Sequence, residues 1–229
     1  MLQLEGVVVE QTSFRLTADW AVPVGARVAV IGASGAGKSS LLLALAGFLP
    51  SAAGRILWQG ADITALDPAT RPVAMLFQDQ NLFPHLTLAQ NLGLALSSRM
   101  RLTVDQQAQV MGMLDRLGLA DFADRRPGDL SGGQQGRAAL GRALLQARPV
   151  LLLDEPFAAL GPALKTELLD LVAEMAAGVT VLLVTHDPAD ALRFADLSVL
   201  VVDGTAQPPQ PTGPLFADPP AALRAYLGF

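Results

Sequence analysis

The stretch Gly32-Ala33-Ser34-Gly35-Ala36-Gly37-Lys38-Ser39 constrains what this chain can fold into more than any other. It has the spacing G-x-x-x-x-G-K-[ST] and lies between an apolar run that suits a strand, Arg27 to Ile31, and a helix-forming run, Ser40 to Ala46. Glycines let the backbone curl until successive N–H groups point into one concavity, which the positive end of the next helix dipole also faces. Such a concavity cradles phosphate. Lys38 can reach the terminal phosphates, and the Ser39 hydroxyl is placed to ligand a magnesium ion bridging them. A plain Gly/Ser turn would join the same two elements, but it requires neither the lysine nor the hydroxyl. The expected ligand is a nucleoside triphosphate with Mg2+, held by Gly32, Ala33, Ser34, Gly35, Ala36, Gly37, Lys38, Ser39 and Ser40.

Composition narrows the setting. At 229 residues the chain suits one large domain, or one with an inserted subdomain. It has no cysteine, so neither disulfides nor thiolate chemistry is expected, and a cytosolic setting is. The first residues lack the basic-then-apolar pattern of a secretory signal, and the longest apolar stretches, Leu41 to Pro50 and Val179 to Val184, are too short to span a membrane. Any membrane association must then come through a partner. A net charge of −5 without a basic run argues against nucleic acid as the main ligand. Only two lysines occur, Lys38 and Lys165, and one of them lies in the phosphate cradle.

Along the chain, Leu2 to Val9 and Phe14 to Trp20 read as strands around a turn at Glu10-Gln11-Thr12. Arg55 to Trp58 and Val73 to Phe77 are further strands, the latter ending at Gln78. From Asp79 to Arg148 the spacing becomes helical, with helices expected over Thr87 to Ser97, Thr103 to Leu117 and Gly132 to Ala147. Pro149 to Leu153 and Val179 to Val184 are near-continuous apolar runs of the kind a parallel sheet buries on both faces, with Lys165 to Ala176 as the crossover helix. Leu197 to Val202 adds a strand. The Pro-rich stretch Gln207 to Pro214 reads as a linker, and Pro219 to Leu227 as a short closing helix.

Three more constellations carry chemistry. Val150 to Glu155 is a buried strand ending in two carboxylates, which places Asp154 near a magnesium ion and leaves Glu155 free to polarise a water. Leu130-Ser131-Gly132-Gly133-Gln134 precedes a long helix, with Ser131 a natural N-cap and two glycines baring backbone N–H groups. It is either a plain cap or a second anion site. One cradle already holds the phosphates, so a second would serve a nucleotide held by another molecule. In Val184-Thr185-His186-Asp187, a strand end presents an imidazole that is either structural or a phosphate sensor.

The phosphate loop, Gln78, Leu130 to Gln134, Leu153-Asp154-Glu155-Pro156 and His186 stand in an order and approximate spacing that resemble the ATP-binding subunits of ABC transporters, over nearly the whole chain. The resemblance implies an α/β P-loop NTPase fold, a RecA-like mostly parallel sheet with an antiparallel β edge, plus an inserted α-helical subdomain. It implies a single ABC ATPase domain over 1–229, with a nucleotide-binding core at 1–78 and 149–206, a helical signature subdomain at 79–148, and the Pro-rich linker and C-terminal helix at 207–229. It implies ATP and Mg2+ as cofactors and a head-to-tail dimer with a second copy of the chain, each ATP lying between the phosphate loop of one copy and Ser131, Gly132, Gly133 and Gln134 of the other. On this analogy Glu155 is the general base, Gln78 senses metal and water, Ser39, Gln78 and Asp154 attend the metal, and His186 contacts the γ-phosphate. The implied partners are transmembrane permease subunits and, indirectly, a periplasmic solute-binding protein, with the chain on the cytoplasmic face of a bacterial inner membrane. Within the family, Arg71 to Asn91 is most similar to the ATPases of thiamine importers. Leu82 and Phe83 are the expected exposed contacts for a permease coupling helix.

Two departures stand out. The family's Ser-Ala-Leu-Asp becomes Ala158-Ala159-Leu160-Gly161, which removes a carboxylate from the expected dimer seam. Gly136 replaces a common glutamine in a helix that also carries Gly141, each costing about 1 kcal/mol of propensity relative to alanine, so packing must hold that helix. Phe14 is the nearest candidate for an adenine-stacking aromatic, whereas Trp20 reads as core. A kinase or GTPase would explain the first motif but not Ser131 to Gln134, and non-transport ABC ATPases carry coiled-coil insertions or tandem units that this chain lacks.

Overall fold

Period-two alternation sorts the central strands onto two buried faces. The computed structural model describes residues 1–11, 14–79, 81–158 and 160–227; Thr12 of the expected hairpin turn, Gln80 and Ala159 lie outside them. Strands β1 (Leu2–Gln11) and β2 (Phe14–Val22) form an antiparallel hairpin, followed by β3 (Arg27–Ile31), α1 (Lys38–Ala46), β4 (Ala53–Trp58), β5 (Ala61–Asp62) and β6 (Val73–Leu76). After the helices α2 (Leu88–Gly93), α3 (Val104–Arg116) and α4 (Gly132–Leu145) come β7 (Val150–Asp154), α5 (Pro162–Met175), β8 (Thr180–Val184), α6 (Pro188–Phe194) and β9 (Leu197–Val202). The chain finishes with β10 (Thr205–Ala206), β11 (Gln210–Pro211), α7 (Thr212–Ala217) and α8 (Ala221–Leu227).

The sheet runs β5-β4-β1-β2-β10-β9-β3-β8-β7-β6. Its half from β9 to β6 is parallel, as the apolar runs required, and β1, β2, β4 and β5 form the antiparallel edge. Ala29, Ile31, Leu151, Leu153, Val181 and Leu183 face a core shared with α2 to α5, while Val28, Val30, Val150, Leu152, Leu182 and Val184 face α1 and the antiparallel strands. Both faces are dry, so neither can slip by one residue without exposing its whole apolar set. Helix α1 is locked at its C-terminal end by Arg71, which is 3% exposed and donates to the carbonyls of Ala44 and Leu45, each at 2.8 Å.

Several expectations shift. Glu10 and Gln11, expected in a turn, pair with Arg15 and Phe14 and so belong to β1. The crossover helix starts at Pro162 rather than Lys165, since proline suits a first helical position. The Pro-rich stretch expected as a linker is packed: Gln210 and Pro211 pair with Ser198 and Leu197, and buried Thr212 shares a 2.9 Å hydroxyl contact with Ser198. An edge strand tolerates proline because one side of it needs no donor. Gly141 is where packing holds α4, since a Cβ there would lie 2.5 Å from the Leu117 side chain.

Candidate nucleotide site

Register brings the chemistry to one edge. Val30 of β3 and Asp154 of β7 both pair with Val184 of β8, so the phosphate loop, the two carboxylates and the Thr185-His186 turn leave the sheet at the same level. The carboxyl ends of parallel strands are where α/β sheets hold ligands. The loop itself is shaped by close approach. Gly32 has φ 150, and a Cβ on it would lie 2.3 Å from the Val201 carbonyl oxygen of β9, so nothing larger fits. Gly37, at φ 103, is the N-cap of α1 and supplies no side-chain cap, which leaves the first-turn donors aimed into the loop.

Lys38 is 7% exposed, and its Nζ donates to the carbonyls of Gly32 and Ala33, each at 2.9 Å. Burial lowers its pKa, opposed by the charges of Glu155 and Asp154. The ammonium is thus held inside the loop by neutral acceptors, which an anion could displace. Ser39 Oγ donates to Asp154 Oδ1 at 3.0 Å. Desolvation raises the Asp154 pKa against that hydrogen bond, and the neighbouring Glu155 charge adds to the rise. A cation beside Asp154 would relieve this. Among the described residues no group of three or more His, Cys, Asp or Glu could hold a metal, so Ser39 and Asp154 fit an ion that completes its shell with phosphate and water.

Glu155 sits at φ 45, a left-handed conformation that non-glycine residues rarely adopt, with its N–H on the Val184 carbonyl at 3.2 Å. Such strain is sustained by the surrounding sheet and is frequent where a side chain must be aimed. Its Oε2 lies 3.3 Å from Nδ1 of His186, whose side chain is 58% exposed. The loop carrying His186 is held on both flanks. Thr185 Oγ1 donates to Asp190 at 2.8 Å, and Lys165 donates to Asp187 at 2.6 Å and Asp190 at 3.3 Å. Gln78 is exposed and lines, with Glu155, Pro156 and Gly136, a cleft of about 250 Å³.

Other expected residues fall elsewhere. The cavity along the phosphate loop, about 610 Å³, is walled by Phe14, Gly32 to Ala36, the end of β9 and the α8 residues Ala222, Ala225 and Tyr226. Ser131 to Gln134 are not among its walls. Ser131 Oγ accepts from the Gln134 N–H at 3.3 Å, and Gln134 Oε1 accepts from the Ser131 N–H at 2.9 Å, a closed capping box. Phe14 lies against the loop, its ring 2.2 Å from where a Cβ on Gly37 would stand, and Trp20 is core, its indole N–H on the Ala206 carbonyl. Of the two expected surface contacts, Phe83 is 46% exposed while Leu82 packs partly against the core. Phe83 borders a groove of about 780 Å³ with Phe48, Phe77 and Arg142.

Sequence reasoning missed Tyr226, whose hydroxyl donates to the His186 carbonyl at 2.8 Å, and the Lys165 network. The scarcity of lysine was the one signal that pointed to Lys165. No helix among the described residues is long and apolar enough to cross a membrane.

The ABC transporter family profile matches residues 17–158. The thiamine import ATP-binding protein ThiQ of Cereibacter sphaeroides is 62% identical over the full length of both chains, that of Ruegeria sp. is 54% identical, also over both full lengths, and that of Yersinia pestis is 44% identical over all of this chain and 97% of its own. The dimeric post-hydrolysis ATP-binding cassette MJ0796 bound to ADP and Pi superposes with a TM-score of 0.82 at 27% identity, covering 93% of this chain and 99% of that one. A nucleotide-free ATP-binding cassette from an ABC transporter gives 0.84 at 25% identity over 100% and 99%. A phosphate loop, a strand ending in paired carboxylates and a signature helix, joined on one α/β sheet and matched along most of their length, mean that this chain belongs to the ABC transporter family.

Proposed function

We propose that this chain is the ATP-hydrolysing subunit of a bacterial thiamine importer, acting at the cytoplasmic face of the inner membrane. The observation that carries the ATPase reading is the common level at which three paired strands end: the phosphate loop leading to Lys38 and Ser39 follows β3, Asp154 closes β7 with Glu155 next to it, and His186 follows β8. The thiamine reading is supported by full-length identity to the ThiQ proteins. Lys38 exchanges its carbonyl partners for the terminal phosphates, and the loop N–H groups bind the remaining oxygens. Ser39 and Asp154, with Gln78 at the rim, would hold a magnesium ion, whose charge would offset that of the triphosphate. A water oxygen bonds to the γ-phosphorus as the bond to the bridging oxygen breaks, its proton passes to Glu155, and ADP and phosphate leave. His186, 3.3 Å from Glu155, steadies that carboxylate and would contact the γ-phosphate.

The capped start of α4 serves the nucleotide of a second copy, giving a head-to-tail dimer that ATP closes and hydrolysis opens. The groove beside Phe83 receives a permease segment and passes that motion on. The test is to co-express the chain with candidate membrane subunits and measure ATP turnover in vesicles with a thiamine-loaded binding protein. Stimulation by thiamine and not by other vitamins is expected; stimulation by a different solute would replace the substrate while keeping the ATPase.

A further inference from the structure

The C-terminal helix bears the chain's single tyrosine, half-buried, and its hydroxyl donates to the His186 carbonyl in the hydrolytic loop. We propose that Tyr226 is a positioning residue for hydrolysis: by holding the His186 carbonyl it keeps the imidazole against the Glu155 carboxylate and makes α8 part of the hydrolytic machinery. The inference rests on the roles given above to Glu155 and His186.

Three observations carry it. Thr185 and Asp187 are tied down by Asp190 and Lys165, while the His186 carbonyl between them is held at 2.8 Å by Tyr226. The His186 side chain is 58% exposed, so packing alone does not fix it, and the peptide that carries it must be oriented some other way. The donor stands on an anchored helix, because Leu223 is 0% exposed in the core and Ala222 and Ala225 wall the phosphate-loop cavity. Burial, followed by the charges of Glu155 and Asp187, raises the Tyr226 pKa, the same direction as for a phenol held protonated beside acids.

The test is Tyr226→Phe in the full chain, which removes the hydroxyl and keeps the ring. Turnover should fall about three- to tenfold, the value of one lost hydrogen bond, with KM for MgATP unchanged. In the His186→Ala background the same change should add nothing, since Tyr226 acts through that residue. Only two histidines exist, so the imidazole C2 protons give two NMR signals, with His85→Gln identifying one of them. Tyr226→Phe should move the His186 signal and leave that of His85. Unchanged turnover in Tyr226→Phe, or an equal loss with and without His186, overturns the inference. Should His186→Ala hydrolyse ATP at the parent rate, the assignment of His186 falls and takes this one with it, whereas a slow His186→Ala beside a normal Tyr226→Phe removes Tyr226 alone.

Discussion

Helices α1 and α4 both have a glycine at their start, as the N-cap of α1 and the first residue of α4, and they treat their first-turn donors in opposite ways. Gly37 offers α1 no side-chain cap, and the far end of that helix is closed by Arg71, so all of its unmet demand lies at the phosphate loop. Helix α4 is closed by the reciprocal Ser131–Gln134 box, built like the Thr87–Gln90 box of α2 and the Thr103–Gln106 box of α3. A helix start left open by its own side chains needs a partner from outside. A capped one has met part of that need already, and in the proposed dimer Ser131 would act on the nucleotide of a second molecule. That difference would separate a site which one chain builds from one which, in the proposed dimer, two chains complete.

Substitutions test whether the two helix starts differ in function as they do in capping. Glu155→Gln should cut turnover about a thousandfold while leaving ATP binding intact, read by single-turnover hydrolysis against nucleotide titration. Near-normal turnover would remove Glu155 as base. Lys38→Met should weaken ATP binding and turnover by about a hundredfold or more, because the open start of α1 loses its charge. Ser131→Ala and Thr103→Ala should each cost about 1 kcal/mol and lower the thermal midpoint by a few degrees, as lost caps do. Only Ser131→Ala should also reduce turnover, by about tenfold. Equal behaviour of the two would make α4 an ordinary capped helix and leave the head-to-tail dimer without its second anion contact.

Gly161 gives a third kind of start, since α5 is also uncapped and a Cβ there meets open space. Gly161→Asp should add a few tenths of a kcal/mol of stability and raise the rate or cooperativity of hydrolysis by returning a carboxylate to the seam. If neither kinetic quantity moves, the position is irrelevant to coupling. The smallest effect concerns acid. The Lys165 hydrogen bond depresses the Asp187 pKa, so its stabilisation is complete above about pH 4 and is lost as pH falls through the folded value. Urea unfolding across pH 2 to 7 should show a shallower acid slope in Lys165→Met.

The phosphate loop, the carboxylate pair and the Ser131 cap were legible because each is a local pattern of a few residues. The central strands were legible as well, since burial on both faces leaves unbroken apolar runs such as Val150 to Leu153. Short elements were not. Strands β10 and β11 hold two residues each and exist only because β2 and β9 offer them edges, and the prolines of 207–214 hid one of them. The left-handed turn at Glu155 has no sequence signal, because the sheet imposes it on a residue that would not choose it alone.

Residue order alone sets which atoms can meet a triphosphate: a lysine, a hydroxyl, two acids and bare backbone amides at fixed intervals. Tertiary structure decided which of these meet one another, through the register that sets Val30, Asp154 and Val184 level. It also decided that a tyrosine forty residues downstream would hold the His186 loop. Local geometry follows from nearest neighbours along the chain, whereas contacts between strand ends depend on how two dry faces of one sheet are buried, and spacing alone does not encode that.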